Sequence, residues 1–206
     1  MSFYVTHLIT GLGNGGAETM LYQILKYQDN PSIKYNVISM GAGSYYADKI
    51  RKLGIDVLEL NIKKNPLSSV VKIYKELKKT DVLCCWMYHS NFVGYIIGRL
   101  AHVKKIIWNV RHSELSKEFN KKTTLQINKW CAKHSKKVSE VIFNGYKSRT
   151  VHEAIGYYHE NCVVIGNGVD TEEYKPNLSA KGQICTEIGI PDDRKIILSV
   201  TKNHPI

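Results

Sequence analysis

Thr10-Gly11-Leu12-Gly13-Asn14-Gly15-Gly16-Ala17-Glu18 is the stretch whose reading decides the fold. It follows an apolar run, Phe3 to Ile9, that reads as a strand, and it precedes Ala17 to Tyr27, which reads as a helix. A strand feeding a glycine-rich turn and then a helix is a device for holding phosphate. Glycines let the backbone come close, and the free N–H groups at the helix start face the anion. Four glycines in six residues is a high entropic cost for packing alone.

The same alternation continues outward. Tyr35–Met40, Asp56–Leu60, Asp81–Met87, Lys105–Val110, Val141–Phe143 and Cys162–Ile165 read as further strands. Between them, Tyr45–Leu53 (stopped at Gly54), Leu67–Lys79, Asn91–Ala101, Ser116 to about His134, and Lys147–Ile155 read as helices. In the helix from Leu67, the apolar side is read as Val70, Val71, Ile73, Tyr74 and Leu77. The strands are continuous apolar runs, which implies burial on both faces. The fold class is therefore α/β: a Rossmann-like parallel sheet with helices on both faces. After the turn-rich Gly166-Asn167-Gly168-Val169-Asp170 come a helix-like Ser179–Ile188 and an apolar strand, Lys195–Val200. The expected organisation is a domain over 1–170, a linker over 171–193, and the start of a truncated second domain over 194–206.

Taken alone, Gly11, Gly13 and Gly16 fit G-x-G-x-x-G, a dinucleotide signature. That signature expects an acidic residue at the end of the second strand to bind ribose hydroxyls. Here the strand ends in Ser39-Met40-Gly41-Ala42-Gly43-Ser44, with no carboxylate. An NAD(P)-binding oxidoreductase stays as an alternative that has lost its second support. A turn used only for close strand–helix packing is the other.

Bulk properties narrow the class. The hydrophobic fraction of 43% supports a sizeable core, and no run approaches the 18 apolar residues of a membrane span. Met1-Ser2-Phe3-Tyr4 lacks the basic region of a cleavable signal, and the five cysteines show no CxxC spacing, so a cytoplasmic protein with reduced thiols is expected. Thirteen Lys and Arg against three Glu lie between Arg99 and Arg149, a surplus of +10 in a chain whose total is +11. Such a block implies an anionic partner. Nucleic acid is not favoured, because no helix-turn-helix, zinc or RNA-recognition signature accompanies it.

Gly11 to Leu21 resembles the opening loop of family 4 glycosyltransferases, retaining enzymes of the GT-B fold, in which two Rossmann-like domains face each other across a cleft. Val164-Ile165-Gly166-Asn167-Gly168-Val169-Asp170 with Tyr174-Lys175-Pro176 is similar to their inter-domain signature, and Asp81–Arg111, containing Tyr88-His89-Ser90-Asn91, to the segment carrying their central histidine. The spacing of the three landmarks also fits.

The resemblance implies an N-terminal half of a GT-B enzyme that moves a sugar from a nucleotide-sugar to a hydroxyl acceptor, in surface polysaccharide or glycolipid synthesis. Gly15 and Gly16 would approach the donor diphosphate or the sugar beside it. His89, on the loop after the fourth strand, would be the catalytic residue near the transferring sugar; its alternative is a cap for the following helix. Arg111 would hold an acceptor phosphate or carboxylate, or else make a surface ion pair. Asn144 would face the same cleft, although Gly145-Tyr146 stand where the family has a serine. Lys202 stands where the family's second domain places an arginine, and would bind the donor diphosphate. No cofactor or metal is expected. The resemblance leaves a GT-B nucleotide-sugar epimerase open, and residues 1–206 alone are expected to be inactive. The partners are then a nucleotide-sugar and a glycan or lipid-linked acceptor. The basic 116–137 helix, with Leu115, Phe119, Leu125 and Trp130 as its apolar companions, has two readings: it meets an anionic membrane surface at the cytoplasmic face, or it is a solvated helix face.

Overall fold

The computed structural model describes residues 3–43 and 45–199. The chain divides into two compact units, Met1–Gly168 and Val169–Ile206. The first carries seven parallel strands: β1 (Phe3–Ile9), β2 (Ile33–Ser39), β3 (Asp56–Glu59), β4 (Val82–Trp86), β5 (Lys105–Val110), β6 (Glu140–Phe143) and β7 (Cys162–Val164). Their order across the sheet is β3-β2-β1-β4-β5-β6-β7. The crossovers are α1 (Gly16–Lys26), α2 (Tyr45–Arg51), α3 (Pro66–Leu77), α4 (Tyr88–Leu100), α5 (Lys122–His134) and α6 (Tyr146–Glu153). The strand order reverses between β1 and the parallel β4: from β1 the chain steps outward to β2 and β3, and from β4 it steps to the opposite edge through β5, β6 and β7. That reversal opens a crevice at the strands' C-terminal ends.

Successive residues of one strand belong to different cores. Leu8, Ile38 and Cys85 face a large cluster with Ile73, Leu83, Trp108 and Phe143. Ile9, Val37 and Trp86 face a second cluster with Leu12, Leu21 and Ile50. This is why the strands read as unbroken apolar runs: both faces are covered. α4 packs between α3 and α5 on one face, while α1 packs on α2. α4 comes very close to the sheet because Gly94 and Gly98 lie on its inner side. A Cβ at Gly94 would be 2.3 Å from Cys85 Sγ, and one at Gly98 would be 3.0 Å from Leu83 Cδ2. The five cysteines are free thiols, and four of them, Cys85, Cys131, Cys162 and Cys185, are buried.

The structure corrects several expectations. α4 begins at Tyr88, not Asn91, because Met87 takes φ 72°, ψ 159° and turns the chain straight into the helix. His89 is therefore in a first helical turn and not on a loop. α5 begins at Lys122, not Ser116. Residues 116–121 form an irregular segment in which Asn120 Nδ2 donates to Glu114 O (2.8 Å) and Ser116 O (3.0 Å), an alternative to helical bonding. Leu115 and Trp130 pack against the core, with the Trp130 ring 4.7 Å from Phe92, and of the companions of the basic segment Phe119 alone is exposed. On α3 the buried face is Ser69, Ile73 and Leu77, whereas Val70, Val71 and Tyr74 are exposed.

In the second unit, α7 (Ala180–Ile188) ends at Gly189, whose φ of 70° is the left-handed C-cap that glycine adopts without strain. Residues 195–199 form no strand, since a strand exists only by pairing and no neighbour pairs with them among the described residues. Lys202 and Val200 lie outside the described residues. No helix is long and apolar enough to cross a membrane among the described residues.

Candidate active site

The crevice at the strand-order reversal holds an open cleft of about 400 Å³. Thr10, Gly11 and Glu18 line it from the β1–α1 side, Met87 to His89 from the β4–α4 side, His112 and Asn120 from the segment between β5 and α5, and Thr124 from the first turn of α5.

The glycine loop is anchored from below and open above. Leu12 is fully buried, and its carbonyl accepts from Tyr46 N–H (2.9 Å). Thr19 Oγ1 donates to Gly15 O (2.9 Å), and Thr10 Oγ1 bonds Ser90 Oγ (3.1 Å), joining the loop to α4. A Cβ added at Gly11, Gly13 or Gly16 would meet nothing within 4 Å. None of the three has positive φ. The chain's own packing therefore makes no demand for glycine here, and the reading of a turn built only for strand–helix packing fails. Gly15 differs: a Cβ there would be 2.5 Å from Glu18 Oε2, so the Glu18 carboxylate folds back against it. A carboxylate in the first turn is favourable to the helix dipole.

His89 occupies the first turn of α4, half-buried at the cleft wall. Burial and the nearby Lys63 ammonium hold its pKa below the ordinary histidine value, so its neutral form is favoured. Its imidazole makes no hydrogen bond among the described residues, which rules out the helix-cap reading. Met87, just before it, is a non-glycine residue in a backbone region that costs about 1–3 kcal/mol. It is held by Met87 N–H donating to Asn109 O (3.0 Å).

Behind the cleft runs a closed polar relay. His152 Nδ1 faces the Ser148 carbonyl (2.7 Å), an acceptor, so Nδ1 carries the proton. Nε2 then accepts from the Tyr88 hydroxyl (2.6 Å). Ser148 Oγ donates to His112 O (2.7 Å). Burial lowers the His152 pKa to about 4 and pushes that of the Tyr88 hydroxyl well up from its ordinary value, so both stay neutral. His112 meets the Tyr88 ring edge-on (6.4 Å), and its buried Nε2 has no partner among the described residues.

Arg111 makes no ion pair among the described residues. Its Nη1 donates to Asn167 Oδ1 and its Nη2 to Asn109 Oδ1 (3.2 Å), and its Cζ is 4.9 Å from the Trp86 ring centroid. Burial lowers its pKa, and its Nε has no partner among the described residues. The guanidinium thus ties the end of β5 to the Gly166–Gly168 turn, beside the cleft. Asn144 follows β6 at the same sheet edge, half-buried. Ser148, one turn further on, is committed to His112 O. Glu18, His112 and Lys63 were missed by sequence reasoning. Glu18 stands inside the loop motif itself, while nothing in the sequence brings His112 to the cleft or the charge of Lys63 to bear on His89. The acidic residue that a dinucleotide site would place after β2 is absent, and Glu59, the last residue of β3, is occupied, accepting from Gly43 N–H (3.1 Å) and pairing with Arg51 (2.7 Å).

Comparison with known proteins bears on kinship. A Bacillus subtilis (strain 168) protein named as a glycosyltransferase, EpsF, is 24% identical over 209 residues, 98% of this chain and 54% of its own length. The crystal structure of Anabaena Alr3699/HepE in complex with UDP-glucose superposes with a TM-score of 0.73 at 22% identity, over 90% of this chain and 50% of that one. A UDP-N-acetylglucosamine 2-epimerase follows with 0.54 at 14%, over 81% and 49%. The chain spans about half the length of these relatives, and at such identities the structures show the fold, a Rossmann-like half of GT-B type. The family model of Glycosyltransferase Family 4 matches residues 14–173. That span runs from the glycine loop through the Gly166–Gly168 turn, and the chain belongs to Glycosyltransferase Family 4.

Proposed function

We propose that this chain forms the acceptor-side half of an enzyme that transfers a sugar from a nucleotide-sugar to a hydroxyl acceptor, with retention of anomeric configuration. The observation that carries the reading is the loop after β1: three glycines whose missing side chains nothing in the chain requires, placed across the cleft from an unpartnered, neutral-leaning His89. HepE binding UDP-glucose supports a uridine diphosphate sugar as donor.

In this reading negative charge builds on the departing diphosphate, and backbone N–H groups at the start of α1 stabilise it. Glu18 repels phosphate from the spot directly over Gly15. That spot suits the sugar, whose hydroxyls would donate to the carboxylate, and leaves the diphosphate to the Gly11–Asn14 side. His89 hydrogen-bonds the sugar or the incoming hydroxyl. Tyr88 cannot donate to substrate, because its proton is committed to His152, and it offers only its ring. Arg111 positions the Asn167 turn more than it binds acceptor. Lys202 as a diphosphate ligand and Asn144 as an acceptor ligand remain parts of the proposal. A glycan or lipid-linked acceptor at the cytoplasmic face fits the cations of 116–137. No metal is needed, so chelation should leave the rate unchanged.

The test is transfer by the full-length protein from UDP-glucose and related donors to polysaccharide or lipid acceptors. His89→Ala should lower kcat at least about a hundredfold. Conversion of the nucleotide-sugar without an acceptor would mark an epimerase instead, and tight binding of NAD(P)H an oxidoreductase.

A further inference from the structure

α3 has two apolar sides. Ser69, Ile73 and Leu77 are buried, as a crossover helix requires. Leu67, Val70, Val71 and Tyr74 recur at i, i+3, i+4 and i+7 and so form a second stripe, exposed by 83, 41, 51 and 36%. α4, packed beside α3, adds exposed Ile96 and Leu100. Single exposed apolar residues are ordinary, but a four-residue helical stripe marks an interaction surface.

The charge around the stripe names the occupant. Lys63, Lys64, Lys72, Lys75, Lys78 and Lys79 are all exposed, and Glu76 is the one carboxylate between residues 63 and 79. Lys79 is 3.9 Å from Glu76, while the ammonium of Lys78 is 5.9 Å from the Tyr74 ring centroid. Lys63, Lys64, Lys72 and Lys75 form no ion pair among the described residues. Protein interfaces deplete lysine, so this collar fits a protein partner poorly. It fits a bilayer, where apolar side chains enter the acyl boundary and lysine stems lie along the surface with their ammonium groups among anionic head groups.

We propose that the outer face of α3 docks the protein on an anionic lipid bilayer, with Leu67 and Val71 entering the acyl boundary and the lysine collar contacting head groups. Lys63, in the turn before the docking helix, acts electrostatically on His89. The lysines of α5 lie in the same helical layer and add attraction without an apolar stripe of their own. This surface needs nothing from the transferase reading and stands or falls separately from it.

The test is co-sedimentation of the chain with phosphatidylcholine–phosphatidylglycerol vesicles, against phosphatidylcholine alone, at low and high salt. Partition should need the anionic lipid and weaken with salt. The double variant Leu67→Asn/Val71→Asn changes only exposed side chains, and should lower partition at least about tenfold with an unchanged thermal melt. Lys129→Glu/Lys133→Glu on α5 should lower it less. As a second readout, Leu67→Cys carrying a polarity-sensitive fluorophore should shift to the blue when mixed vesicles are added. No partition at low salt, or equal partition of the Asn double variant and the parent, overturns the proposal. So does a dimer in light scattering that the double variant dissolves, which would assign the face to a second copy of the chain.

Discussion

Gly94 and Gly98 on α4 and Gly11, Gly13 and Gly16 in the β1–α1 loop are the same residue in opposite circumstances. A methyl group at Gly94 would strike Cys85 Sγ at 2.3 Å, whereas one at Gly16 would meet nothing within 4 Å. Histidines repeat the contrast. His7 and His152 are enclosed, with partners at 3.1 Å for His7 Nδ1 and 2.6 Å for His152 Nε2, while His89 faces the cleft unpartnered. The layer behind the cleft is specified by the chain for itself. The loop is specified for something the chain does not contain.

The largest test of that contrast is acid. Burial lowers the pKa of His7 and of His152 to about 4. Between pH 6.5 and 4 the unfolded chain binds a proton at each site that the folded chain refuses, so stability falls as pH falls through that window. The linked loss is roughly 3 kcal/mol for each by pH 4. Urea unfolding at pH 7 and pH 4.5 reads it, and a flat profile would mean that these sites are not closed. Next comes overpacking: Gly94→Ala should cost about 2–3 kcal/mol, seen as a clear drop in Tm, and Gly98→Ala less. Tyr88→Phe should cost about 1–2 kcal/mol by leaving His152 Nε2 buried without its donor. Smallest in stability is Gly16→Ala, within about 0.5 kcal/mol of the parent. The same variant should lower transfer by the full-length enzyme at least about tenfold. A Gly16→Ala protein that unfolds early yet transfers normally would erase the comparison.

The sheet was legible because its strands are buried on both sides, and β1 and β5 begin and end where their apolar runs do. The loop and the Gly166–Gly168 turn were legible as motifs. What stayed hidden depends on contacts between distant segments. The start of α4 rests on a methionine at φ 72°, a conformation no local pattern announces. On α3 the sequence puts Val70, Val71 and Tyr74 on one apolar side with Ile73 and Leu77, because periodicity finds a helix's apolar residues without saying which of them the sheet will cover. His112 reaches the cleft, and Lys63 acts on His89, through topology, and the His152 tautomer follows from a carbonyl one turn earlier in α6.

The thiols set up a clock. Cys131 is fully buried, burial raises its pKa to about 12, and its Sγ donates to Tyr88 O at 3.8 Å. A thiol reagent reaches it only when α5 leaves α4, so its labelling rate reports opening of the layer behind the cleft. Cys185, buried in the second unit, keeps separate time for that unit. Cys131 and Cys185 thus form a built-in stopwatch for which part of the molecule opens first.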